Sequence, residues 1–473
     1  MIKRTEFSRY IKTITNWVQN YFENIEKYPV KSQVKPGDIY NQLPDSAPEE
    51  SESINQIIED LDRVIMPGIT HWQHPNFHAY FPANSSVESL YAELITASLG
   101  TQCMIWETSP AAAELEQRVL EWMRDAMGLP KNFEGVIQDT ASSATLVALL
   151  TARERATNFQ SNVEGVPNNL RIYCSSEAHS SIDKAVGISG IGKKNLIKIE
   201  VDEQLRMIPS KLEEQIQNDL REGYRPTFVL AAIGTTGTVA IDPVDEIAKI
   251  CNKHKIWLHL DAAYAGTALF LPEYQWMIKG IENADSFVFN PHKWMLTNFD
   301  CSAYYIKDVP SLTRTFDVLP EYLRTDTRGK VNDYRDWGIA LGRRFRALKL
   351  WFVLRGYGIN GIQATLRQHI QLTSFFVEEI SKLKYFKIIV PQVLNFCAIR
   401  FQYLESDNVN ASNKINEAFL KELNSRGKVY LTHTKINNHY TIRIIIGQTY
   451  VEKRHIIELI KELEETAILY AQK

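Results

Sequence analysis

Apolar residues near the start of the chain recur at helical spacing. Between Phe7 and Tyr21 they lie mostly three or four positions apart. Residues with this spacing share one side of a helix. Further helix-like segments, separated by Pro and Gly, continue to about residue 75. The N-terminal region is therefore predicted to be helical, with an apolar face that must be buried against another surface.

From about residue 81 the pattern changes to short apolar runs that alternate with segments of helical spacing. The runs lie at residues 136–138, 171–174, 228–233, 256–260 and 286–289. Short strands with intervening helices are typical of a mostly parallel α/β sheet covered on both faces. Ligands of such sheets bind beyond the carboxyl ends of the strands. Candidate functional residues are therefore expected directly after each run.

From about residue 356 the chain shows a third pattern, with strand-like runs followed by a long helical segment. The runs lie at residues 386–390, 396–401 and 440–446. This combination is typical of a small α+β domain. The three predicted parts are a helical segment at residues 1–80, a large domain at 81–355 and a small C-terminal domain at 356–473.

Composition gives no preference for a strongly charged partner. The 473 residues carry a formal net charge of −3, so we expect no nucleic acid and no membrane as partner. The five cysteines are scattered and form no CxxC pair, which argues against a disulfide framework or a metal site. The first residues lack the apolar stretch of a signal peptide, and no apolar run reaches transmembrane length. We therefore expect a cytoplasmic protein.

The first run of the large domain leads into small and hydroxyl-bearing residues. Asp139, Thr140, Ala141 and Ser142 come directly before a helical segment. Free backbone N–H groups at a helix N-terminus, together with the helix dipole, suit a phosphate group. Thr and Ser are also common as simple N-caps. The pattern by itself leaves both a phosphate site and a plain cap open.

The next two runs are followed by a histidine and by a glycine-containing turn. His179 lies between a strand and a helix, where a histidine either caps the helix or lies flat against an aromatic cofactor ring. Thr236 lies in the turn at residues 234–238, where glycines allow a close approach of the backbone. Neither feature alone distinguishes a binding site from an ordinary loop.

Two later runs end in residues whose charge is unfavourable to bury. Asp261 closes an apolar run, where a carboxylate either caps a helix or pairs with a cation such as a protonated pyridine nitrogen. Lys293 follows another run, where desolvation frees its amine for a Schiff base unless the side chain extends to water. Together with the possible phosphate site at residues 139–142 and with His179, these residues indicate a site for pyridoxal 5′-phosphate (PLP).

The same segments resemble those of a known family, the group II PLP-dependent decarboxylases. The segments that carry the resemblance are residues 71–75, 135–142, 178–181, 261–266, 290–294 and 342–346. The resemblance is closest to the aromatic-L-amino-acid decarboxylases and extends over nearly the whole chain. It implies a type I fold, like that of aspartate aminotransferase, and a homodimer with active sites at its interface. Residues 1–80 would then be a dimerisation segment that packs across the partner subunit.

The resemblance also implies a role for each residue at the strand ends. Lys293 would bind the cofactor covalently, Asp261 would pair with the pyridine nitrogen, and His179 would stack on the ring. Thr236 would lie beside the cofactor or the substrate carboxylate. The residues implied for the phosphate are Ala141, Ser142 and Asn290, with Thr140 and His292 nearby.

Residues of the N-terminal region resemble the family's pocket for an aromatic side chain. They are Trp72, Tyr80, Phe81 and Pro82. Core packing is an equally good interpretation of Tyr80 or Phe81 taken alone. Family members also contribute residues from the partner subunit, where this chain has Gln102 and Met104. Because Met adapts to varied shapes, we expect a broad pocket that accepts phenylalanine, tyrosine, tryptophan and their hydroxylated relatives.

Tyr322 matches the family's catalytic-loop tyrosine, which is implicated in returning a proton to Cα after CO2 leaves. In plant relatives, phenylalanine at this position is associated with aldehyde formation, so Tyr322 favours an amine product and a role in trace amine biosynthesis. An aromatic acetaldehyde synthase stays open as an alternative. A decarboxylase of acidic amino acids is disfavoured by Trp72 and Tyr80, and a non-catalytic PLP-binding protein is disfavoured by Lys293.

Overall fold

The computed structural model describes residues 4–317, 329–402 and 408–471. The chain divides into two compact units, a larger one at Ala83–Ile370 and a smaller one that combines Met1–Pro82 with Gln371–Lys473. All five cysteines are buried and free. Within the described ranges, no helix is both long and apolar enough to cross a membrane.

Helices occur throughout both units. In chain order they are α1 (Arg4–Glu23), α2 (Ile54–Asp60), α3 (Val87–Leu99), α4 (Pro110–Ala126), α5 (Ala141–Ala156), α6 (Ser161–Glu164), α7 (Ser181–Ile188), α8 (Pro209–Arg221), α9 (Val244–His254), α10 (Pro291–Trp294), α11 (Val309–Phe316), α12 (Ala347–Ser381), α13 (Val409–Ser425) and α14 (Lys453–Ala471). The long helix α12 is broken at Gly358, where φ is +63°. Glycine adopts this left-handed conformation without steric penalty.

The larger unit is built on a seven-stranded sheet. Its strands are β1 (Glu134–Gln138), β2 (Leu170–Ser175), β3 (Leu196–Ile199), β4 (Arg225–Ala232), β5 (Trp257–Asp261), β6 (Ser286–Phe289) and β7 (Ser302–Ile306). They lie in the order β1-β7-β6-β5-β4-β2-β3. β7 is antiparallel to both neighbours, whereas the pairs from β6 to β3 are parallel. The predicted mostly parallel α/β sheet is therefore confirmed.

Helix α5 shows how small residues place a helix close to the sheet. Ala144, Ala148 and Ala152 are spaced four apart, so they lie along one face of α5, and all three are buried. They belong to one hydrophobic core with Leu230 of β4 and Val288 of β6. Because alanine has a short side chain, α5 packs closely on the strands, and its N-terminus lies beyond the end of β1.

The smaller unit contains a four-stranded antiparallel sheet. Its strands are β8 (Phe386–Val393), β9 (Phe396–Phe401), β10 (Thr432–Ile436) and β11 (His439–Ile445), in the order β10-β11-β9-β8. Ile456, Leu459 and Leu463 of α14 are fully buried in a core with residues of this sheet. The predicted small α+β arrangement of the C-terminal region is present.

The strand directions in the larger unit bring several loops to one edge of the sheet. β2, β4, β5 and β6 are parallel, and β1 points the same way as β6 because both are antiparallel to β7. The carboxyl ends of these five strands therefore share one edge. The candidate residues of the larger unit that follow strands lie in these loops.

Candidate active site

The loop after β1 presents two backbone N–H groups at the start of α5. Thr140 is the N-cap, and its Oγ1 accepts a hydrogen bond from the N–H of Ser143 at 3.4 Å. The carboxylate of Asp139 accepts one from the N–H of Thr140 at 2.6 Å. Among the described residues, no acceptor is paired with the N–H groups of Ala141 and Ser142. These two groups, together with the helix dipole, suit a phosphate.

Asp261 places a carboxylate at the end of a central strand. It is the last residue of β5, pairs with Ala232 of β4 and Val288 of β6, and is only 8% exposed. Its Oδ1 accepts a hydrogen bond from the N–H of Ala263 at 3.1 Å. A buried carboxylate is stabilised by a cation, so a protonated ring nitrogen fits this position.

His179 follows β2 and lies within reach of two charged side chains. His179 is exposed, but partial desolvation of its ring lowers its pKa; the Asp261 carboxylate opposes this effect, and the Lys293 ammonium adds to it. Its Nδ1 accepts a hydrogen bond from the N–H of Ser181 at 3.2 Å, so the neutral ring carries its proton on Nε2. The carboxyl ends of β2, β5 and β6, with the loops that follow them, therefore bring His179, Asp261 and Lys293 together.

The loop after β6 is held rigidly before it reaches the lysine. The N–H of Asn290 donates to the carbonyl of Ala263 at 3.0 Å, and its Oδ1 accepts from the hydroxyl of Ser302 at 2.7 Å. Asn290 is the N-cap of α10, and its carbonyl accepts from the N–H of Lys293 at 3.0 Å. Lys293 is half-buried. Its backbone is thus fixed relative to Asp261, whose loop contains Ala263.

His292 is a buried and neutral neighbour of the lysine. Its Nδ1 accepts a hydrogen bond from the N–H of Cys301 at 2.9 Å, which leaves the proton on Nε2. Burial and then the Lys293 charge lower the pKa of His292 to about 3. The ring of Phe299 contacts it edge-on, with centroids 4.7 Å apart. His292 is therefore a neutral hydrogen-bond donor of fixed orientation.

Thr236 lies in an internally bonded turn after β4. The hydroxyls of Thr235 and Thr238 are 3.2 Å apart, and the N–H of Ala240 donates to Thr235 Oγ1 at 3.1 Å. A Cβ at Gly234 would lie 2.7 Å from that of Ala265, in the segment that follows Asp261. Glycine therefore allows the two segments to approach closely, and Thr236 itself stays exposed.

A buried ion pair supports the segment that contains Met104. The guanidinium of Arg343 donates to the Glu116 carboxylate at 2.5 Å and to the carbonyl of Ile137 at 2.9 Å. The N–H of Arg343 also donates to Gln102 Oε1 at 2.7 Å. Met104 is half-buried two residues further on. The ion pair thus connects the Met104 segment with β1, a link that neither motif nor periodicity indicated.

The residues predicted for an aromatic pocket lie in the smaller unit, except Met104. The rings of Trp72 and Tyr80 are stacked, with centroids 5.6 Å apart and an interplanar angle of 18°. They are 37% and 46% exposed, whereas Phe81 and Pro82 are buried. Trp72 and Tyr80 therefore offer accessible ring surface, and Phe81 and Pro82 contribute packing. Tyr322 lies outside the described residues.

Residues 36–404 match the family model described as "Pyridoxal-dependent decarboxylase conserved domain". The chain belongs to this family. The matched segment contains the loops after β1, β2, β4, β5 and β6, and it also contains Trp72 and Tyr80. The predicted membership in the PLP-dependent decarboxylases is therefore confirmed.

Individual relatives extend over nearly the whole decarboxylase. "Tyrosine decarboxylase 2" of Narcissus pseudonarcissus is 40% identical over 469 residues, which cover 96% of this chain and 93% of the relative. "Phenylacetaldehyde synthase" of Arabidopsis thaliana is 39% identical over 472 residues, with coverage of 98% and 96%. The crystal structure of Oryza sativa TDC with PLP and tryptamine superposes with a TM-score of 0.96 at 31% identity and covers 99% of both chains. The predicted type I fold is thus confirmed.

The residues at the sheet edge fit the cofactor that the family requires. Two backbone N–H groups without a protein acceptor in the described ranges suit its phosphate. The buried carboxylate of Asp261 suits its ring nitrogen, and Lys293 supplies the amine that forms a Schiff base.

Proposed function

We propose that this decarboxylase removes the α-carboxyl group of aromatic L-amino acids and releases aromatic amines and CO2. The observation that carries the proposal is the convergence of His179, Asp261 and Lys293 at one sheet edge. The aromatic substrate class is supported by the names of the similar proteins and by the exposed ring pair of Trp72 and Tyr80.

The chain's own residues hold the reacting groups in place. PLP, when bound, provides a sink for the electrons of the broken bond between Cα and the carboxylate. Lys293 would hold the cofactor covalently through its amine. Asp261 keeps a proton on the pyridine nitrogen, because its buried carboxylate is stabilised by that positive charge. His179 would stack on the ring and exclude water from that face.

Backbone and polar side chains bind the remaining polar groups. The N–H groups of Ala141 and Ser142 and the side-chain amide of Asn290 would bind the phosphate, with Thr140 and His292 nearby. His292 donates from Nε2, because Nδ1 is already occupied by the N–H of Cys301. Thr236, on its exposed turn, contacts the cofactor or the substrate carboxylate.

The aromatic side chain of the substrate is bound by rings and by a flexible thioether. Trp72 and Tyr80 stack on the substrate ring, with Phe81 and Pro82 behind them. Met104 contributes from the partner subunit and adapts to rings of different size. We therefore expect phenylalanine, tyrosine, tryptophan and hydroxylated relatives all to be substrates.

One relative favours a second candidate function, aromatic acetaldehyde synthesis. The relative named phenylacetaldehyde synthase is 39% identical to this chain. Tyr322 argues for the amine product, because a tyrosine hydroxyl at this position returns a proton to Cα. With O2 as oxidant, Tyr322→Phe is expected to shift the product from amine toward aldehyde, with ammonia released and O2 reduced to H2O2. An unchanged amine yield in this variant would refute the role of Tyr322.

A homodimer in the cytoplasm is the proposed state of the protein. Helix α3 carries four apolar residues on one face, Tyr91, Leu94, Ile95 and Leu99, and each is between 40% and 59% exposed. A second copy of the chain would cover this face, and residues 1–80 of each subunit would pack across the partner subunit. Leu94→Glu is expected to shift the protein toward monomer in sedimentation, and an unchanged dimer would remove α3 from the interface.

Product analysis tests the proposed function. The PLP-loaded protein is incubated separately with phenylalanine, tyrosine, tryptophan and glutamate, and the products are identified by mass spectrometry. Amines from the three aromatic substrates and none from glutamate are expected, consistent with trace amine biosynthesis. Aldehydes would establish the synthase alternative. An amine from glutamate alone, or no product, would contradict the aromatic assignment.

A further inference from the structure

Tyr80 adopts a backbone conformation that is unusual for an aromatic residue. Its φ is +50°, in the left-handed region that bulky side chains seldom occupy. Its N–H donates to Thr432 Oγ1 at 3.2 Å, and its hydroxyl lies 3.3 Å from the hydroxyl of Tyr430. Strained conformations persist where surrounding contacts hold them, and they are common at ligand sites. Contacts of its backbone N–H and of its hydroxyl therefore hold Tyr80 in this conformation.

Tyr430, the partner of Tyr80, is itself fixed. Its N–H donates to the carbonyl of Asn76 at 3.3 Å, and its carbonyl accepts from the N–H of His78 at 3.0 Å. Its ring packs edge-on against Phe77, with centroids 5.5 Å apart and an interplanar angle of 80°. Because both backbone and ring are anchored, the hydroxyl of Tyr430 has a defined position beside Tyr80.

The hydroxyl pair lies at one end of an accessible aromatic surface. Tyr80 stacks on Trp72, and both rings are more than a third exposed. Each phenol has one O–H donor and accepts through its oxygen. One O–H is used between Tyr80 and Tyr430, so the second can donate to a ligand. An aromatic ring lying on this surface can therefore meet this hydroxyl pair at the Tyr80 end.

We propose that Tyr430 determines specificity by acting through Tyr80, so that the ring pair favours aromatic amino acids with a ring hydroxyl over their counterparts without one. The inference rests on the proposed function, since it assigns a preference within that substrate class. The expected size is that of one net hydrogen bond, roughly 3- to 10-fold in kcat/KM.

The test compares two substrates that differ by one hydroxyl. kcat and KM for L-tyrosine and L-phenylalanine are measured on the PLP-loaded protein and on Tyr430→Phe, which keeps the ring packing against Phe77. The tyrosine-to-phenylalanine ratio of kcat/KM is expected to fall roughly 3- to 10-fold. We expect the change in KM rather than in kcat, because Tyr430 positions a binding surface and does not touch the reacting atoms.

A control variant and a double variant distinguish positioning of Tyr80 by Tyr430 from a non-specific loss of structure. Tyr440→Phe removes a phenol hydroxyl elsewhere in the same unit, where Tyr440 stacks on His433 at 4.2 Å, and is expected to leave the ratio unchanged. If Tyr430 acts through Tyr80, adding Tyr430→Phe to Tyr80→Phe has little further effect.

An unchanged ratio in Tyr430→Phe, or additive effects in the double variant, would overturn the inference while leaving the proposed function intact. Failure of the unmodified protein on both substrates would overturn the proposed function together with the inference.

Discussion

At the sheet edge of the larger unit, Asp261 is a buried residue at the end of a strand, and His179 is an exposed residue on the loop that follows another strand. Their orientations are set by hydrogen bonds to nearby backbone N–H groups. In the smaller unit, Trp72 and Tyr80 are exposed rings, and Tyr80 is held by residues about 350 positions away in sequence. The comparison indicates that the cofactor chemistry depends on the topology of the sheet, whereas substrate preference depends on a few side-chain contacts. Substitutions at the sheet edge should therefore abolish activity, whereas substitutions of Trp72 or Tyr80 should change which substrate is preferred.

The largest expected effect is that of Lys293→Ala. Without the amine the cofactor has no covalent attachment, so kcat is expected to fall by roughly 10³-fold or more. The visible absorbance of covalently bound PLP should disappear as well. Lys279→Ala, which changes an exposed lysine, is the control and should alter neither. If Lys293→Ala retained near-normal turnover, the cofactor chemistry would not depend on the sheet edge.

Asp261→Asn is expected to have the next largest effect on catalysis. The amide cannot stabilise a protonated ring nitrogen, so we expect kcat to fall roughly 10²- to 10³-fold. Asp245→Asn on α9 replaces a surface carboxylate and should leave kcat unchanged. Steady-state kinetics and titration of PLP absorbance distinguish lost chemistry from lost binding. Normal kcat in Asp261→Asn would mean that the carboxylate does not act on the ring.

Glu116→Gln tests whether the sheet edge depends on its buried support. The substitution leaves the Arg343 guanidinium buried without its partner charge, which costs about 3–5 kcal/mol. Glu121→Gln lies on the same helix but affects only surface contacts of the carboxylate, a hydrogen bond from Gln117 and an ion pair with Arg118 worth about 0–1 kcal/mol. Urea unfolding of both variants gives the comparison. Equal stabilities would show that the Arg343 ion pair contributes nothing to the larger unit.

Acidification is expected to act on the smaller unit through His74. Its Nδ1 accepts the N–H of Asn76 at 3.0 Å, and burial lowers the pKa of His74 to about 4. In the unfolded chain the pKa is about 6.5, so the unfolded state binds more protons between these two values. Neutral His74 therefore contributes to the free energy of unfolding above pH 6.5, and this contribution is lost as the pH falls toward 4.

For His74 alone, the loss of stability between pH 7 and pH 5 is about 2 kcal/mol. His74→Asn should therefore reduce the pH dependence of urea unfolding. An identical pH dependence in the parent and in His74→Asn would show that His74 does not contribute.

Much of the sheet edge could be predicted because each element there has a local pattern. The apolar runs before Asp139, His179, Asp261 and Asn290 are real strands, and their parallel order brings the following loops together. β3 was not predicted, because it is a short edge strand that includes exposed Lys198 and lacks a fully buried run. β7 was also missed, because it follows β6 without the long helix that marks a parallel crossover.

Contacts between distant residues could not be predicted. The pair formed by Glu116 and Arg343 joins residues 227 positions apart, and that of Tyr80 and Tyr430 joins residues 350 apart. Neither pair has a periodic or motif signal, because each depends on how elements distant in sequence pack. The sequence therefore indicates the cofactor-binding loops more completely than the residues that support them.

The most direct measurement of the central claim is chemical trapping of the cofactor on the protein. The PLP-loaded decarboxylase is reduced with borohydride, digested and analysed by mass spectrometry to locate the modified residue. We predict a phosphopyridoxyl group on Lys293, at the end of the loop that follows β6. Modification of a different lysine, or of none, would contradict the assignment of this sheet edge as the active site.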